Sequence, residues 1–253
     1  MTYIVPILKR TLLLLEHLSK HPEGKSITEL VNDLDIPKTT VFRMLKTLEE
    51  GDYVAKSNVG DRYVLSTGCL RIGLAVLENI TVEKAARPVM AAIANTYKIP
   101  CKLSIPLAEG VMSIAKEDGR EGLSLLSGIG TIFPYHAGAT GKLLLSFQDD
   151  QFIESILTNR KLAQFTNRTI TDPDKLRQEI ARIRKDGFAT ESGEYKLGIG
   201  AVAYPVFNHK GQVVAGLSGV YLTEQSTPED IAGYIKQGAA EISARLGYNP
   251  NKN

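Results

Sequence analysis

A group of basic and hydroxyl side chains opens the segment IPKTTVFRMLKTLEE, residues 36–50. Lys38, Thr39 and Thr40 come directly after the proline, and Arg43 lies one helical turn further on. Apolar residues at helical spacing behind them predict that the other side of the same helix is buried. A helix N-terminus offers free N–H groups and a positive dipole end to phosphate oxygens, and an arginine can reach a base edge. The pattern therefore predicts a helix whose first turn contacts nucleic acid.

The elements around this helix are those of a winged helix-turn-helix. PILKRTLLLLEHLSK predicts a core-facing helix, and SITELVNDL predicts a second, short helix with Ser26 or Thr28 as its N-cap and a capping box between Ser26 and Glu29. The third helix stops at Gly51, and YVAKSNVGDRYVLS predicts a hairpin with its turn at residues 58–61. In such a unit the third helix enters the DNA major groove. We predict this domain over residues 1–66, with DNA contacts from Ser26, Thr28, Lys38, Thr39, Thr40, Arg43, Lys46 and Arg62.

Alternatives remain open for this first domain. Basic and acidic residues are equally numerous in residues 1–66, so a nucleic-acid role depends on where the charges lie rather than on their totals. A small helical bundle would leave Lys38 and Arg43 merely solvated, although a bundle does not need the hairpin. Arg62 could reach a phosphate or the minor groove, or it could form an internal ion pair with Asp61.

The remainder of the chain predicts an antiparallel α+β domain. TGCLRIGLAVLE predicts a helix that links the two halves over residues 67–80, and the second domain then covers residues 81–253. From Ile99 on, alternating residues predict strands, which include a hairpin of GAVAYPVFN and VVAGLSGVYL. TDPDKLRQEIARIRKDG predicts a helix that is capped by Thr171 or Asp172 and ends at Gly187.

Composition indicates an ordinary soluble protein, with 43% hydrophobic and 23% charged residues. The longest apolar block, TLLLLEHL, is interrupted by Glu16 and His17, so we predict no membrane-spanning segment. The first residues lack a signal-peptide pattern. Cys69 and Cys101 are too few for a disulfide framework and lack metal-ligand spacing. We predict a cytoplasmic protein.

Enzyme motifs are approximated in the second half but not met. GATGKL has His136 and Leu143 where a phosphate-binding loop needs a glycine and a serine or threonine. GIGAVA is followed by a strand with a proline instead of the helix of a dinucleotide site, and no G-x-S-x-G occurs. None of the four histidines has a cysteine nearby, and we predict no metal site, no cofactor and no enzymatic activity. We expect His136 to orient its turn by hydrogen bonding, and Lys142 either to bind an anionic ligand or to pair with a surface acid.

The order and wording of these elements resemble the IclR family of bacterial transcriptional regulators. The resemblance covers almost the whole chain, and the joint order of its stretches is far more specific than a helix-turn-helix alone. The matching stretches are SITELVNDLDIPKTTVFRMLKTLEEGDYV, RYVLSTGCLRIG, ARPVMAAIA, FPYHAGATGKLLLS, TITDPDKLRQEIARIRKDGFA and GIGAVAYPVFNHKGQVVAGLSG.

This resemblance implies an N-terminal winged helix-turn-helix joined by a linker helix to a GAF-like antiparallel-sheet effector domain. The implied function is that of a ligand-responsive regulator, a repressor, which controls a catabolic or metabolic operon. The implied partners are double-stranded operator DNA, a small organic effector that carries a carboxylate, and further copies of the chain in a dimer or a dimer of dimers. Carried over by position, the effector pocket would contain Leu125, Phe133, Ala139, Thr140, Glu191, Ile199, Ala201, Ser218 and Val220.

Some positions depart from the resembling proteins. Val220 and Ala201 stand where members that bind small 2-oxo acids have a serine and a cysteine, and Ser192 follows Glu191 where an acidic pair is common. The loss of polar groups favours a more apolar or larger ligand. The alternative function is a metabolite sensor whose winged helix contacts another protein instead of an operator.

Overall fold

The computed structural model describes residues 4–57, 60–78, 81–119, 127–159 and 161–250. The chain divides into two compact units, residues 1–79 and 80–253. None of the helices in these described ranges combines the length and the apolar character that a membrane crossing requires.

The first unit contains helices and a short hairpin around one apolar core. Its elements are α1 Pro6–Ser19, α2 Ile27–Leu34, α3 Lys38–Glu50, β1 Val54–Lys56, β2 Tyr63–Leu65 and α4 Thr67–Glu78. Residues from α1, α2, α3 and the hairpin share the core, among them Leu14, Leu30, Leu45 and Tyr63. The hairpin is antiparallel, and Lys25 forms a further bridge with Tyr63 that ties the segment before α2 to β2. The predicted turn falls partly at residues 58 and 59, which lie outside the described residues.

Local signals define the two helices of the helix-turn-helix. The predicted capping box is present, because Ser26 Oγ accepts the Glu29 N–H at 3.3 Å and Glu29 Oε2 accepts the Ser26 N–H at 2.8 Å. Asp35, at the C-cap of α2, adopts a left-handed conformation with φ of 52°. Ile36 then turns into the core with 3% of its surface exposed, and Pro37 precedes α3. A proline disfavours helical backbone in the residue before it, which keeps α2 and α3 separate.

The second unit is a six-stranded antiparallel sheet covered by helices. Its strands follow the order β5-β4-β3-β8-β7-β6. Its elements are α5 Thr81–Tyr97, β3 Cys101–Pro106, β4 Val111–Glu117, β5 Ile132–Phe133, α6 Ala139–Ser146, α7 Asp150–Asn159, α8 Pro173–Asp186, β6 Ala189–Ser192, β7 Ile199–Phe207, β8 Val213–Leu222 and α9 Pro228–Arg245. The predicted closing hairpin is thus β7 and β8, which pair along nearly their full length.

The two faces of the sheet carry different layers, because successive residues of a strand point to opposite faces. Along β8, Ala215 and Leu217 belong to the core that α5 and α9 share with the sheet. A Cβ atom on Gly216 would lie 3.0 Å from Thr140 of α6, whereas a Cβ atom on Gly219 would lie 2.7 Å from Ile235 of α9. The face that includes Gly216 therefore lies towards α6, and this face holds the cavity described below.

Candidate functional site

The start of α3 presents the predicted basic and hydroxyl residues to solvent. Lys38, Thr39 and Arg43 are exposed and Thr40 is half-buried, while the opposite face of α3 buries Val41, Met44, Leu45 and Leu48. Pro37 occupies the N-cap and has no side-chain acceptor, so no side chain in the described part of this unit caps the first N–H groups of α3. Free N–H groups, a lysine and an arginine at one helix start form a surface suited to phosphate oxygens and base edges.

Three other predicted DNA contacts have partners inside the unit. Ser26 serves the capping box, and the Lys46 ammonium donates to Glu49 at 2.7 Å. The Arg62 guanidinium donates to the carbonyl oxygen of Gly24 at 2.7 Å and to Glu29 Oε1 at 3.0 Å. These contacts give Arg62 a structural role, since it joins the segment directly before β2 to the start of α2.

Of the alternatives left open for Arg62, an internal ion pair is present, with Glu29 as the partner in place of Asp61. Asp61 pairs with Lys56, with 2.7 Å between Lys56 Nζ and Asp61 Oδ1. Thr28 is exposed in the first turn of α2. Phe42, which sequence reasoning missed, is 47% exposed directly before Arg43. An exposed phenyl ring can contact a thymine methyl group, and the available signal was that Phe42 falls outside the apolar stripe of α3.

A cavity of about 680 Å³ lies against the sheet face that α6 covers. The strands form its floor, while the first turn of α6 and residues 195–198 form walls. The structure brings these predicted effector residues together in its lining: Phe133, Ala139, Thr140, Glu191, Ile199, Ala201, Ser218 and Val220. Leu125 lies outside the described residues.

The first turn of α6 supplies hydrogen-bond donors to this cavity. Gly138 is the N-cap, with φ of 82°, and no side chain within the described ranges caps the helix. Gly138, Ala139, Thr140 and Gly141 all line the cavity. A Cβ atom on Gly141 would lie 2.4 Å from the carbonyl oxygen of Pro134, so only glycine allows this close approach. The arrangement can seat an anion such as a carboxylate at the helix N-terminus.

Lys102 adds a cation that sequence reasoning missed. Its Nζ atom lies 4.2 Å from the ring centroid of Phe133 and donates to Ser127 Oγ at 3.2 Å. Desolvation lowers the pKa of Lys102 to about 8, although the nearby Glu191 charge opposes this effect. The signal was the alternation in CKLSIP, where Cys101 and Leu103 join the helical core and Lys102 and Ser104 line the cavity.

Glu191 is the acidic group of the cavity and has 7% of its surface exposed. Its pKa is raised to about 7, chiefly by burial; the hydrogen bond from the Glu194 N–H opposes the rise, and the charge of Glu194 contributes to it. That bond joins the Glu194 N–H to Glu191 Oε2 at 2.9 Å. Glu191 also lines a second cavity of about 460 Å³ together with Lys142 and Glu179. A carboxyl that titrates near neutral pH thus lies where ligand charge would act on it.

Lys142 and His136 make contacts that hold together the elements around the cavity. The predicted hydrogen-bonding role of His136 is confirmed by the 2.9 Å contact between its Nε2 atom and the carbonyl oxygen of Ala163. Lys142 pairs with acids, but not at the surface, because only 1% of its side chain is exposed. Its Nζ atom lies 3.1 Å from Glu179 Oε1 and 2.5 Å from Glu194 Oε1. Lys142 therefore ties α6 to α8 and to the loop that walls the cavity.

Family comparisons agree with this two-part arrangement. The family model described as bacterial transcriptional regulator IclR C-terminal matches residues 74–244, and the IclR helix-turn-helix domain matches residues 7–57. The chain belongs to the IclR family of transcriptional regulators. The predicted α+β architecture of a helix-turn-helix domain followed by an antiparallel-sheet effector domain is confirmed.

Relatives that match this IclR-family chain over nearly their full length are transcriptional regulators. KipR of Bacillus subtilis, an HTH-type transcriptional regulator, is 31% identical over 236 residues, which cover 92% of this chain and 94% of KipR. The HTH-type transcriptional repressor AllR of Salmonella typhi is 25% identical over 249 residues, with 96% and 90% covered.

Solved structures show the same fold. An IclR transcriptional regulator from Alicyclobacillus acidocaldarius matches with a TM-score of 0.84 and 28% identity, covering 97% of this chain and all of that one. An IclR homologue from Microbacterium hydrocarbonoxydans, complexed with 4-hydroxybenzoate, matches with a TM-score of 0.84 at 19% identity and covers 95% and 98% of the two chains. The latter likeness concerns the fold alone.

Proposed function

We propose that this IclR-family regulator represses a catabolic or metabolic operon and is released from its operator by a small organic acid bound in the cavity beside α6. The observation that carries the proposal is the combination, in one cavity of about 680 Å³, of an uncapped helix N-terminus, a partly buried lysine and apolar walls. Such a cavity suits a ligand with one anionic end and an apolar body.

The anionic end is assigned to the N–H groups at Ala139 and Thr140 and to the Lys102 ammonium. A bound carboxylate would offset the desolvation of Lys102 by pairing with it. The apolar body is assigned to the rest of the lining, which includes Val111, Phe133, Leu197, Ile199 and Val220. Because valine and alanine occupy positions 220 and 201, the ligand is larger or more apolar than a short 2-oxo acid. A benzoate-like acid has these properties, and 4-hydroxybenzoate in the Microbacterium homologue makes it a sensible first probe.

Operator recognition is assigned to the first two turns of α3, with Arg43 reaching base edges and Lys38 reaching phosphates. Exposed apolar residues support self-association of the chain. On α1 these are Ile7, Leu8, Leu12 and Leu13, and on α4 they are Leu70, Ile72 and Leu74. We propose a dimer, or a dimer of dimers, in which ligand binding shifts the population between arrangements with different half-site spacing.

The ligand assignment is tested by calorimetric titration with benzoate, 4-hydroxybenzoate and hexanoate, each compared with its neutral amide. We expect the acids to bind and the amides to bind far more weakly. Lys102→Met should weaken acid binding about 10- to 150-fold, the equivalent of a charge-assisted hydrogen bond of about 1.5–3 kcal/mol.

Lys116→Met is the matched control. Lys116 lies opposite Lys102 on β4 and pairs with Asp118 at 3.2 Å, but it does not line the cavity. Equal affinity of acids and amides, or equal losses in the two variants, would contradict the assignment of the anionic end.

The regulatory part is tested by fluorescence anisotropy with DNA from upstream of the protein's own gene and with scrambled DNA, over a range of salt concentrations. We expect sequence-selective binding that weakens steeply with salt and is reduced by a ligand found in the calorimetric assay. An effector that saturates the cavity and leaves operator affinity unchanged would contradict the proposed response.

A further inference from the structure

A cluster of metal-ligating side chains lies in the first unit, outside both sites described above. His17 is in the last turn of α1, His21 follows that helix, and Asp33 is in α2. One ligand atom from each of the three lies within 4.8 Å of the other two. The prediction of no metal site overlooked the four-residue spacing of the two histidines, which places them on one side of a helix end.

We propose that His17, His21 and Asp33 bind a divalent transition-metal ion, with Zn²⁺ as the best-suited member of the class. Two imidazole nitrogens and a carboxylate oxygen are a common ligand set for zinc, and water can complete a tetrahedral site.

The separations fit one ion. His17 Nε2 lies 2.9 Å from Asp33 Oδ2. With metal–ligand bonds of about 2.0–2.1 Å, that separation corresponds to an angle of about 90° at the ion. His21 has to approach by a side-chain rotation, since the full span is 4.8 Å. The rotation is unhindered by a tight core, because the His17, His21 and Asp33 side chains are 20%, 30% and 33% exposed.

The imidazoles already lie face to edge, with 4.6 Å between the centroids of His17 and His21. Glu23 is available as a further oxygen ligand, since its Oε1 atom lies 3.7 Å from His21 Nδ1.

Lys25 is the competitor of the metal. Its Nζ atom lies 2.9 Å from Asp33 Oδ2, the oxygen that would bind the ion. An ammonium at this distance both occupies the oxygen and repels a dication. Removing the ammonium should therefore strengthen metal binding. An ion that bound only to a surface histidine would not respond to this change.

The experiment is calorimetric titration of tag-free, full-length protein with Zn²⁺, and separately with Ni²⁺, with melting temperature as a second readout. We expect one ion per chain and a higher melting temperature with metal, because the ion would link α1 to α2. His21→Ala and Asp33→Asn should each lower the affinity at least tenfold, since even indirect support of a ligand is worth 10- to 100-fold, and Lys25→Met should raise it.

His209→Ala is the matched control, because His209 is an exposed histidine of the second unit. Circular dichroism of each variant without metal verifies its fold, and these surface substitutions should leave it intact. The proposal is overturned if the protein binds no ion at millimolar concentration, or if His21→Ala and His209→Ala bind Zn²⁺ equally.

Discussion

Glu191→Gln is expected to remove a pH-dependent destabilisation from the second unit. The Glu191 carboxyl has an ordinary pKa of 4.5 that burial raises to about 7. Each tenfold change in an acid's dissociation constant corresponds to about 1.4 kcal/mol, so ionised Glu191 costs the folded protein about 3 kcal/mol. Glutamine is neutral at every pH and keeps a carbonyl oxygen for the hydrogen bond from the Glu194 N–H.

The direction of the effect depends on which state holds the proton. Below pH 4.5 the carboxyl is protonated in the folded and the unfolded protein, and Glu191 causes no difference. Between pH 4.5 and about pH 7 the unfolded chain releases the proton and the folded chain retains it, so stability falls as the pH rises. The glutamine variant should therefore exceed the original protein by about 1 kcal/mol at pH 5 and by about 3 kcal/mol at pH 8.

The assay is urea unfolding at pH 5 and pH 8, followed by far-UV circular dichroism because the chain has no tryptophan. Glu224→Gln is the control, since Glu224 is an exposed carboxyl just beyond β8. It should change stability little at either pH. The reasoning is refuted if Glu191→Gln destabilises the protein at pH 8, or if its advantage over the original protein does not grow between the two pH values.

Further substitutions test the remaining parts of the two sites. Arg43→Ala should cost about 1–3 kcal/mol of operator affinity at one base-pair position, measured by anisotropy on single-base operator variants; an equal loss on every sequence would assign Arg43 to phosphate alone. Lys142→Met should lower the free energy of unfolding by about 3–5 kcal/mol in urea, because it leaves a buried carboxylate unpaired, and adding Glu194→Gln should recover part of the loss. Gly141→Ala should abolish acid binding in calorimetry, because the added Cβ would lie 2.4 Å from the carbonyl oxygen of Pro134 and displace the first turn of α6; retained affinity would contradict the role of that turn.

Features that depend on neighbouring residues could be predicted from the sequence. The capping box of α2 needs only Ser26 and Glu29, and both of its hydrogen bonds are present. Helix α8 begins after Asp172, whose carboxylate accepts the Asp174 N–H at 2.8 Å, and ends at Gly187 with φ of 79°. The alternation along β7 and β8 also depends only on residues within each strand, because successive residues of a strand point to opposite faces of the sheet. The hairpin could therefore be predicted.

Features that depend on distant residues could not be predicted in the same way. Lys142 is 37 and 52 positions away from its partners Glu179 and Glu194, and nothing near Lys142 in the chain indicates that its ammonium is buried. Arg62 is 33 positions away from Glu29, which the fold of the hairpin brings to it. The predicted effector-binding residues came from the resemblance to a family. The presence of Lys102 in the cavity could be predicted only by knowing which face of β3 lies towards the cavity.

The alternation along β8 places the residues that line the cavity and the residues that pack against α5 and α9 on opposite faces of the strand. Ser218 and Val220 line the cavity, whereas Ala215 and Leu217 belong to the core that α5 and α9 share with the sheet. A substitution at position 218 or 220 can therefore change the shape and polarity offered to a ligand without removing a side chain from the α5 and α9 layer. A lineage of such regulators can therefore exchange one ligand for another through single substitutions at these two positions while the packing of β8 on α5 and α9 is kept.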